Sequence, residues 1–218
     1  MNIFKKLLQS VLIRCGNLYN FQNDEKLINL YIQEKDECAF DELVNRYIDR
    51  IYSLCFRITK NKEITEDVVQ EIFITLSQKL HTFRAESTFS TWLYRISTNA
   101  ALMKLRKEKR HNNEVISDDV NYSENNNNNF TYIAKDSSKR PDVFLLRKES
   151  ENEFNNALNK LPETYRLVIH LKDIDGFSYS QIANILEITT QAVKSRIHRA
   201  RLELRNELSD YFHEWSEN

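Results

Sequence analysis

Phe177-Ser178-Tyr179-Ser180-Gln181-Ile182-Ala183-Asn184-Ile185-Leu186, then Glu187-Ile188-Thr189, then Thr190-Gln191-Ala192-Val193-Lys194-Ser195-Arg196-Ile197-His198-Arg199-Ala200-Arg201 is the stretch that decides the fold. Its first part reads as a short helix capped by Ser178. Glu187-Ile188-Thr189 reads as a tight turn, with Thr189 capping a second helix over Thr190 to Leu208. Ala183 is small where two helices must approach closely, and Val193 is branched and apolar where the second packs back. That spacing is the packing core of a helix-turn-helix. On the second helix Val193, Ile197, Ala200 and Leu204 recur on one side. Thr190, Gln191, Lys194, Ser195, His198 and Arg201 lie near the other. A polar and basic face starting at a helix N-terminus suits insertion into the major groove of DNA.

Upstream of this motif, Leu161-Pro162 reads as a helix start and Asp175-Gly176 as a helix stop. The helical block spans about Asp142 to Trp215. Before it, His111 to about Arg140 holds the run Asn125 to Asn129, several Ser and Asp, and few large apolar residues. Such a composition buries too little surface to offset chain entropy, so the segment reads as a flexible linker ended by Pro141.

The N-terminal half is helical again. Phe40, Leu43, Val44, Tyr47, Ile48, Ile51, Leu54, Cys55 and Ile58 keep helical period over Ala39 to Thr59. Asn61 and Lys62 interrupt it. Ile64, Val68, Ile72, Leu76 and Leu80, with Val69 and Phe73 beside them, form the seam of a second helix. This seam leaves Asp67, Gln70, Glu71 and Ile74 pointing outward, a stripe suited to a helix bearing Arg or Lys. After a loop from His81 to Ser90, a third helix from about Thr91 to Lys109 carries Trp92, Leu93, Ile96, Ala100 and Leu105. Phe83-Arg84-Ala85-Glu86-Ser87-Thr88-Phe89-Ser90-Thr91-Trp92-Leu93-Tyr94-Arg95-Ile96-Ser97-Thr98-Asn99 interleaves aromatic and basic residues, the mixture that extruded bases and phosphates require.

Bulk composition agrees with a helical chain. Among 218 residues there are 2 Gly and 2 Pro, too few for the turns of a strand protein. The net charge of −1 argues against a nucleic-acid binder only as an average. Tyr94 to Arg110 carries Arg95, Lys104, Arg106, Lys107, Lys109 and Arg110 against Glu108 alone, and Thr190 to Arg205 is similarly basic. Acidic residues gather instead at Glu63 to Glu71 and Asp118 to Glu124. Cys15, Cys38 and Cys55 have no metal-ligand spacing and read as idle thiols in a reducing cytosol. The five histidines are scattered, with no ligand pair near a cysteine. No apolar run approaches the roughly 20 residues needed to span a bilayer. Met1 to Leu18 reads as a short amphipathic helix or frayed extension. No phosphate loop, metal cluster or nucleophile-base pair appears, so the chain is not expected to be an enzyme and no cofactor or small-molecule substrate is implied.

Leu161-Pro162, Gly176-Phe177-Ser178-Tyr179, Ile182-Ala183 and Val193 to Arg201 together resemble the C-terminal (sigma-four) domain of extracytoplasmic-function (ECF) sigma factors of bacterial RNA polymerase. Asp67-Val68-Val69-Gln70-Glu71-Ile72-Phe73 and the Phe83 to Asn99 stretch resemble the family's sigma-two domain. The resemblance implies an all-α protein of two small helical domains. Residues 1–23 form an N-terminal extension, 24–110 a sigma-two domain, 111–141 an Asn-rich linker and 142–212 a sigma-four domain. It also implies a cytoplasmic promoter-reading subunit. Asp67, Gln70, Glu71 and Ile74 would dock on the beta-prime clamp of core polymerase, with the beta flap as a second contact. Phe83, Arg84, Ser87, Phe89, Trp92, Arg95, Asn99 and Lys104 would read and open the minus-10 element. Thr190, Gln191, Lys194, Ser195, Arg196, His198 and Arg199 would read the minus-35 element. An anti-sigma factor is the further partner it implies. Glu187 departs from the pattern, since the family usually has Gly in this turn; a left-handed non-Gly residue costs roughly 1 kcal/mol. An ordinary helix-turn-helix regulator would explain the C-terminal half equally well, but not Asp67 to Phe73 or the stretch around Trp92. A helical adaptor that holds only protein partners on its basic faces is a second rival.

The linker fits this arrangement. Elements two duplex turns apart are roughly 70 Å from each other, and about 30 extended residues reach roughly 100 Å.

Overall fold

The computed structural model describes residues 19, 21–115 and 141–216. The extension before Tyr19 and the Asn-rich tract over residues 116–140 lie outside the described residues. All regular structure among the described residues is helical, and the helices fall into two units.

The first unit begins with α1 (Asp24–Asn29), a short helix not read from the sequence. Asn23 caps it, its side chain accepting from the Lys26 amide at 2.9 Å. A single π turn (Leu30–Glu34) follows. α2 (Glu37–Thr59) starts at Asp36, whose carboxylate accepts from the amides of Cys38 and Ala39. It ends where Lys60 turns left-handed at φ 52° and donates its amide to Phe56 O. Asn61 then caps α3 (Lys62–Lys79) by accepting from the Ile64 amide at 3.0 Å. So Lys60 and Asn61 together break the helical run.

After a 3₁₀ turn (Leu80–Thr82) and a loop comes α4 (Phe89–Val115). It runs past the expected linker boundary at 110. α2, α3 and α4 pack on one another, and α1 rests on α2. The core holds Leu43, Val44, Ile51, Leu54 and Cys55 of α2 and Val68, Val69, Ile72, Phe73 and Leu76 of α3.

α4 is rotated from the expected seam. Trp92, Ile96, Ala100 and Leu105 are only half-buried. The face turned inward is Leu93, Tyr94, Ser97, Thr98 and Ala101. Small hydroxyl residues can occupy it because Ser97 donates back to Leu93 O at 2.8 Å, which satisfies its hydroxyl within the helix.

The cysteines differ from one another. Cys38 is disulfide-bonded, which corrects the expectation of idle thiols. Cys55 is free and fully buried, and burial pushes its thiol up to about 12, so it is inert.

The second unit starts with α5 (Pro141–Lys160). Leu161 and Pro162 separate it from α6 (Glu163–Ile169). A π turn (His170–Ile174) leads to Asp175 and Gly176, where φ is 78°. α7 (Tyr179–Leu186) and α8 (Thr190–Ser216) complete the unit. Leu158, Leu161, Ile169 and Ala200 form one buried cluster, with Tyr165 and Leu204 against it. Ser178 and Gln181 make a reciprocal capping box on α7, at 3.2 and 2.9 Å. Thr189 caps α8 by accepting from the Ala192 amide at 3.1 Å. Ala183 and Val193 are both buried at the helix crossing.

Glu187 occupies the turn with φ 54°. A Cβ is disfavoured in that conformation, which Gly adopts freely. Glu187→Gly should therefore stabilise this unit by about 0.5–1 kcal/mol, raising its Tm by a few degrees in calorimetry. A lowered Tm would show that the turn does not hold residue 187 left-handed.

Candidate nucleic-acid interfaces

Three surfaces collect the side chains singled out from the sequence. On α3 the inward seam leaves Asp67, Gln70, Glu71 and Ile74 exposed, as their spacing requires, and Ile74 presents an apolar side chain 51% open to solvent. Two acids and an exposed isoleucine on one stripe offer a basic, partly apolar partner both charge and contact area.

The second surface is the loop over residues 83–88 and the outer face of α4. Phe83, Phe89 and Trp92 cluster beneath the loop. Phe83 meets Phe89 edge-on at 5.8 Å between ring centroids and tilts against Trp92 at 5.4 Å. Phe89 also meets Tyr47 of α2 edge-on at 5.3 Å. Each contact has the geometry aromatic quadrupoles favour. Phe89 is consequently only 4% exposed. Read from the sequence as a DNA contact, it is instead walled in by Tyr47, Phe83 and Trp92. Phe83, Ser87 and Trp92 are half-buried, so each keeps part of its side chain open, and Arg84 is exposed. The loop bends at Ala85, whose φ is 56°. Thr88 closes it by accepting from the Thr91 amide at 3.3 Å, which starts α4.

Because Leu93, Ser97 and Ala101 face inward, the opposite face of α4 presents Arg95, Asn99, Met103, Arg106 and Arg110, all exposed. Lys104 is not on that stripe. It is half-buried, with its ammonium 3.8 Å from Asp67 of α3 and 3.9 Å from Glu108. A residue read as facing DNA and one read as facing protein thus stand beside each other. The sequence reading passed over Met103, and the signal available was its spacing, four residues beyond Asn99.

The third surface is α8. Thr190, Gln191, Lys194, Ser195, His198 and Arg199 are exposed, while Arg196 is half-buried. Val193, Ile197 and Ala200 are buried beneath them. The capped N-terminus directs its amides and dipole toward any anion that approaches. Arg201 is turned aside, its guanidinium 2.7 Å from Asp173 in the π turn. That bond raises its pKa and fixes the turn to α8. Lys172 likewise donates to Phe177 O at 3.2 Å and sits over the Tyr179 ring. Among the described residues no cluster of His, Cys, Asp and Glu could hold a metal. No helix among them is long and apolar enough to cross a membrane.

Comparisons with known proteins fall on the same two units. Residues 43–111 match the family model for Sigma-70 region 2, and residues 151–204 match that for Sigma-70 region 4. The ECF RNA polymerase sigma factor SigW of Bacillus subtilis is 37% identical over 179 residues, which are 82% of this chain and 94% of that protein. The RNA polymerase sigma-H factor of Pseudomonas aeruginosa is 34% identical over 182 residues, 83% of this chain and 91% of that protein. Two solved structures share the fold at 22% identity. The sigma factor RpoE bound to the anti-sigma factor NepR, from Bartonella quintana, gives a TM-score of 0.60, covering 78% of this chain and 96% of that one. CnrH bound to the cytosolic domain of CnrY gives 0.57, covering 86% and 99%.

Burial separates support from surface in the second site. Phe89→Ala should cost about 3 kcal/mol by opening the aromatic cluster. Asn99→Ala should change stability by less than about 0.5 kcal/mol. Denaturant titration of the two variants measures both, and equal midpoints would contradict the buried placement of Phe89.

Proposed function

This chain belongs to the ECF sigma factors of the sigma-70 family, and from that premise we propose how its surfaces divide the work of promoter-specific transcription initiation. The α3 stripe of Asp67, Gln70, Glu71 and Ile74 docks on the clamp of the polymerase beta-prime subunit, and the beta flap takes the second unit. The loop over residues 83–88, with Phe83, Arg84, Ser87 and Trp92, receives a flipped base of the minus-10 element. Phe89 holds that pocket together from beneath. Arg95 and Asn99 follow the strand along α4. Lys104 lies at the border between the docking stripe and this DNA face. On α8, Thr190, Gln191, Lys194, Ser195, His198 and Arg199 read the minus-35 element, while Arg196, half-buried, serves a phosphate.

The observation that carries this reading is the face of α8. Thr190, Gln191, Lys194, Ser195, His198 and Arg199 are open from the first turn onward, above a buried Val193-Ile197-Ala200 seam. The chain works by binding alone. Opening about ten base pairs costs on the order of 14 kcal/mol of stacking, which contacts to the opened strand and to polymerase must supply. Each unit alone binds DNA weakly, and holding both on one polymerase raises the effective concentration of each at its element. We place the chain in the cytoplasm beside the polymerase. An anti-sigma factor is a further partner; one solved neighbour of this fold, RpoE of Bartonella quintana, is a sigma factor held by an anti-sigma factor. The domain boundaries follow the same division: extension 1–23, sigma-two 24–110, linker 111–141 and sigma-four 142–212.

Run-off transcription with purified core polymerase tests the reading, on promoters mapped by sequencing RNA 5′ ends after overexpression. The chain should confer initiation where core has none, and the free chain should shift promoter DNA far more weakly than holoenzyme. Asp67→Asn with Glu71→Gln should weaken association with core about tenfold or more. Lys194→Glu with Arg199→Glu should abolish promoter-specific transcripts yet leave core association intact. Unchanged transcripts from the second pair would remove α8 from DNA recognition.

A further inference from the structure

The outer stripe of α4 carries one apolar side chain among polar and charged ones. Met103 is 68% exposed, one turn beyond Asn99 and one before Arg106 and Lys107. Every other exposed member of the row is polar or charged. The core of this unit does not hold it, since the inward face of the helix is Leu93, Ser97 and Ala101. Lys104, the next residue, turns away toward Asp67. Met103 therefore stands alone, a flexible and polarisable apolar side chain on a nucleic-acid face.

Its position along the helix says what it meets. This inference rests on the function proposed above. The pocket for an extruded base lies at the N-terminal end of α4, under Trp92. The exposed cations Arg106, Lys107 and Arg110, suited to phosphates, lie at the C-terminal end. At 1.5 Å per residue, Met103 is about 16 Å from Trp92 and about 10 Å from Arg110. On the proposed function, single-stranded bases lie at the N-terminal end; duplex held by the cations at the other end would put the boundary between them at the middle of the stripe. There the last intact base pair has lost a stacking neighbour and shows an apolar face. A cation in that place would be drawn to phosphate instead. We propose that Met103 is an apolar wedge that packs on that exposed base pair and holds the duplex open at the fork, as inserted apolar side chains do elsewhere in DNA recognition.

Met103→Ala, Met103→Gln and Met103→Leu, each in holoenzyme with core polymerase, distinguish this role. Because the side chain is exposed, the variants should keep the wild-type Tm. The rate of strand opening is read from 2-aminopurine fluorescence on a duplex carrying a mapped promoter, and on the same DNA with a preformed mismatched bubble. Alanine and glutamine should slow opening of the duplex about tenfold. Leucine should stay within about twofold of wild type, and the bubble should restore all variants to about wild-type rate. Wild-type rates for alanine on duplex overturn the wedge. So does an equal loss on duplex and bubble, or a loss of core association, either of which makes Met103 an ordinary contact. Failure of the wild-type chain to initiate on either template would instead bring down the sigma-factor reading itself.

Discussion

The edge-to-face contact between Phe89 and Tyr47 fixes the orientation from which the first unit's surfaces follow. Phe89 is the first residue of α4, so burying its ring against α2 sets the rotation of the whole helix. Once Leu93 and Ser97 follow it inward, Arg95 and Asn99 have no choice but to face out. The contact is anchored on its far side as well. The Tyr47 hydroxyl donates to Asp24 of α1, and burial together with that bond raises the tyrosine's pKa. Asp24 also takes Arg46 Nη1 at 3.0 Å. Arg46 reaches Glu42 at 2.7 Å and Tyr19 O at 2.9 Å. Burial alone would lower the Arg46 pKa, but its bonds to Glu42 and Asp24 outweigh that and raise it. A ring contact beneath the loop over residues 83–88 is thus continued by charge-assisted bonds to the first helix.

The second unit reaches the same end, a fixed outward face, by different means. Aliphatic packing sets the rotation of α8. Ala183 lets α7 approach, Val193 fills the crossing, and Thr189 fixes where α8 begins. The left-handed Glu187 sets the direction of approach. Arg201 then fastens α8 to the π turn through Asp173. Exposed ion pairs contribute little to stability, typically 0–1 kcal/mol, so Arg201 selects a position more than it holds the fold. Lys194 and Arg199 on the same helix stay open toward solvent.

The second unit was the more legible in the sequence because its geometry is local. Caps at Ser178 and Thr189 lie within three residues of what they bond, and the Ala183/Val193 spacing spans a single turn. The left-handed conformation of residue 187 was legible only from the family resemblance, in which Gly usually holds this turn. The first unit depends on contacts that no window reveals. Phe89 looks like an aromatic in a DNA-reading loop until Tyr47, far back in the chain, is seen to cover it. Lys104 looks like another member of a basic run until α3 brings Asp67 beside it. The seam of α4 was misjudged because hydrophobicity was weighed above hydroxyl chemistry: Ser97, bonded back to its own helix, is as buried as a leucine. α1 and the π turns were missed because they are five or six residues long, too short for periodicity to register.

The segregation of charge in a chain of net charge −1 acquires a physical meaning from this placement. A sigma subunit must meet DNA, which is anionic, and a protein clamp that must itself tolerate DNA nearby. On the proposed division, an acidic stripe for the clamp and a basic stripe for DNA meet both demands, provided the stripes do not cancel. They run on different helices, α3 and α4, and an ion pair joins them at Asp67 and Lys104. With Asp67 largely exposed, that attraction is screened and weak. Either partner can therefore replace it with its own charges at small cost. A strong buried pair in the same place would have locked the two surfaces together, and binding at one would have carried the penalty of stripping a charge from the other.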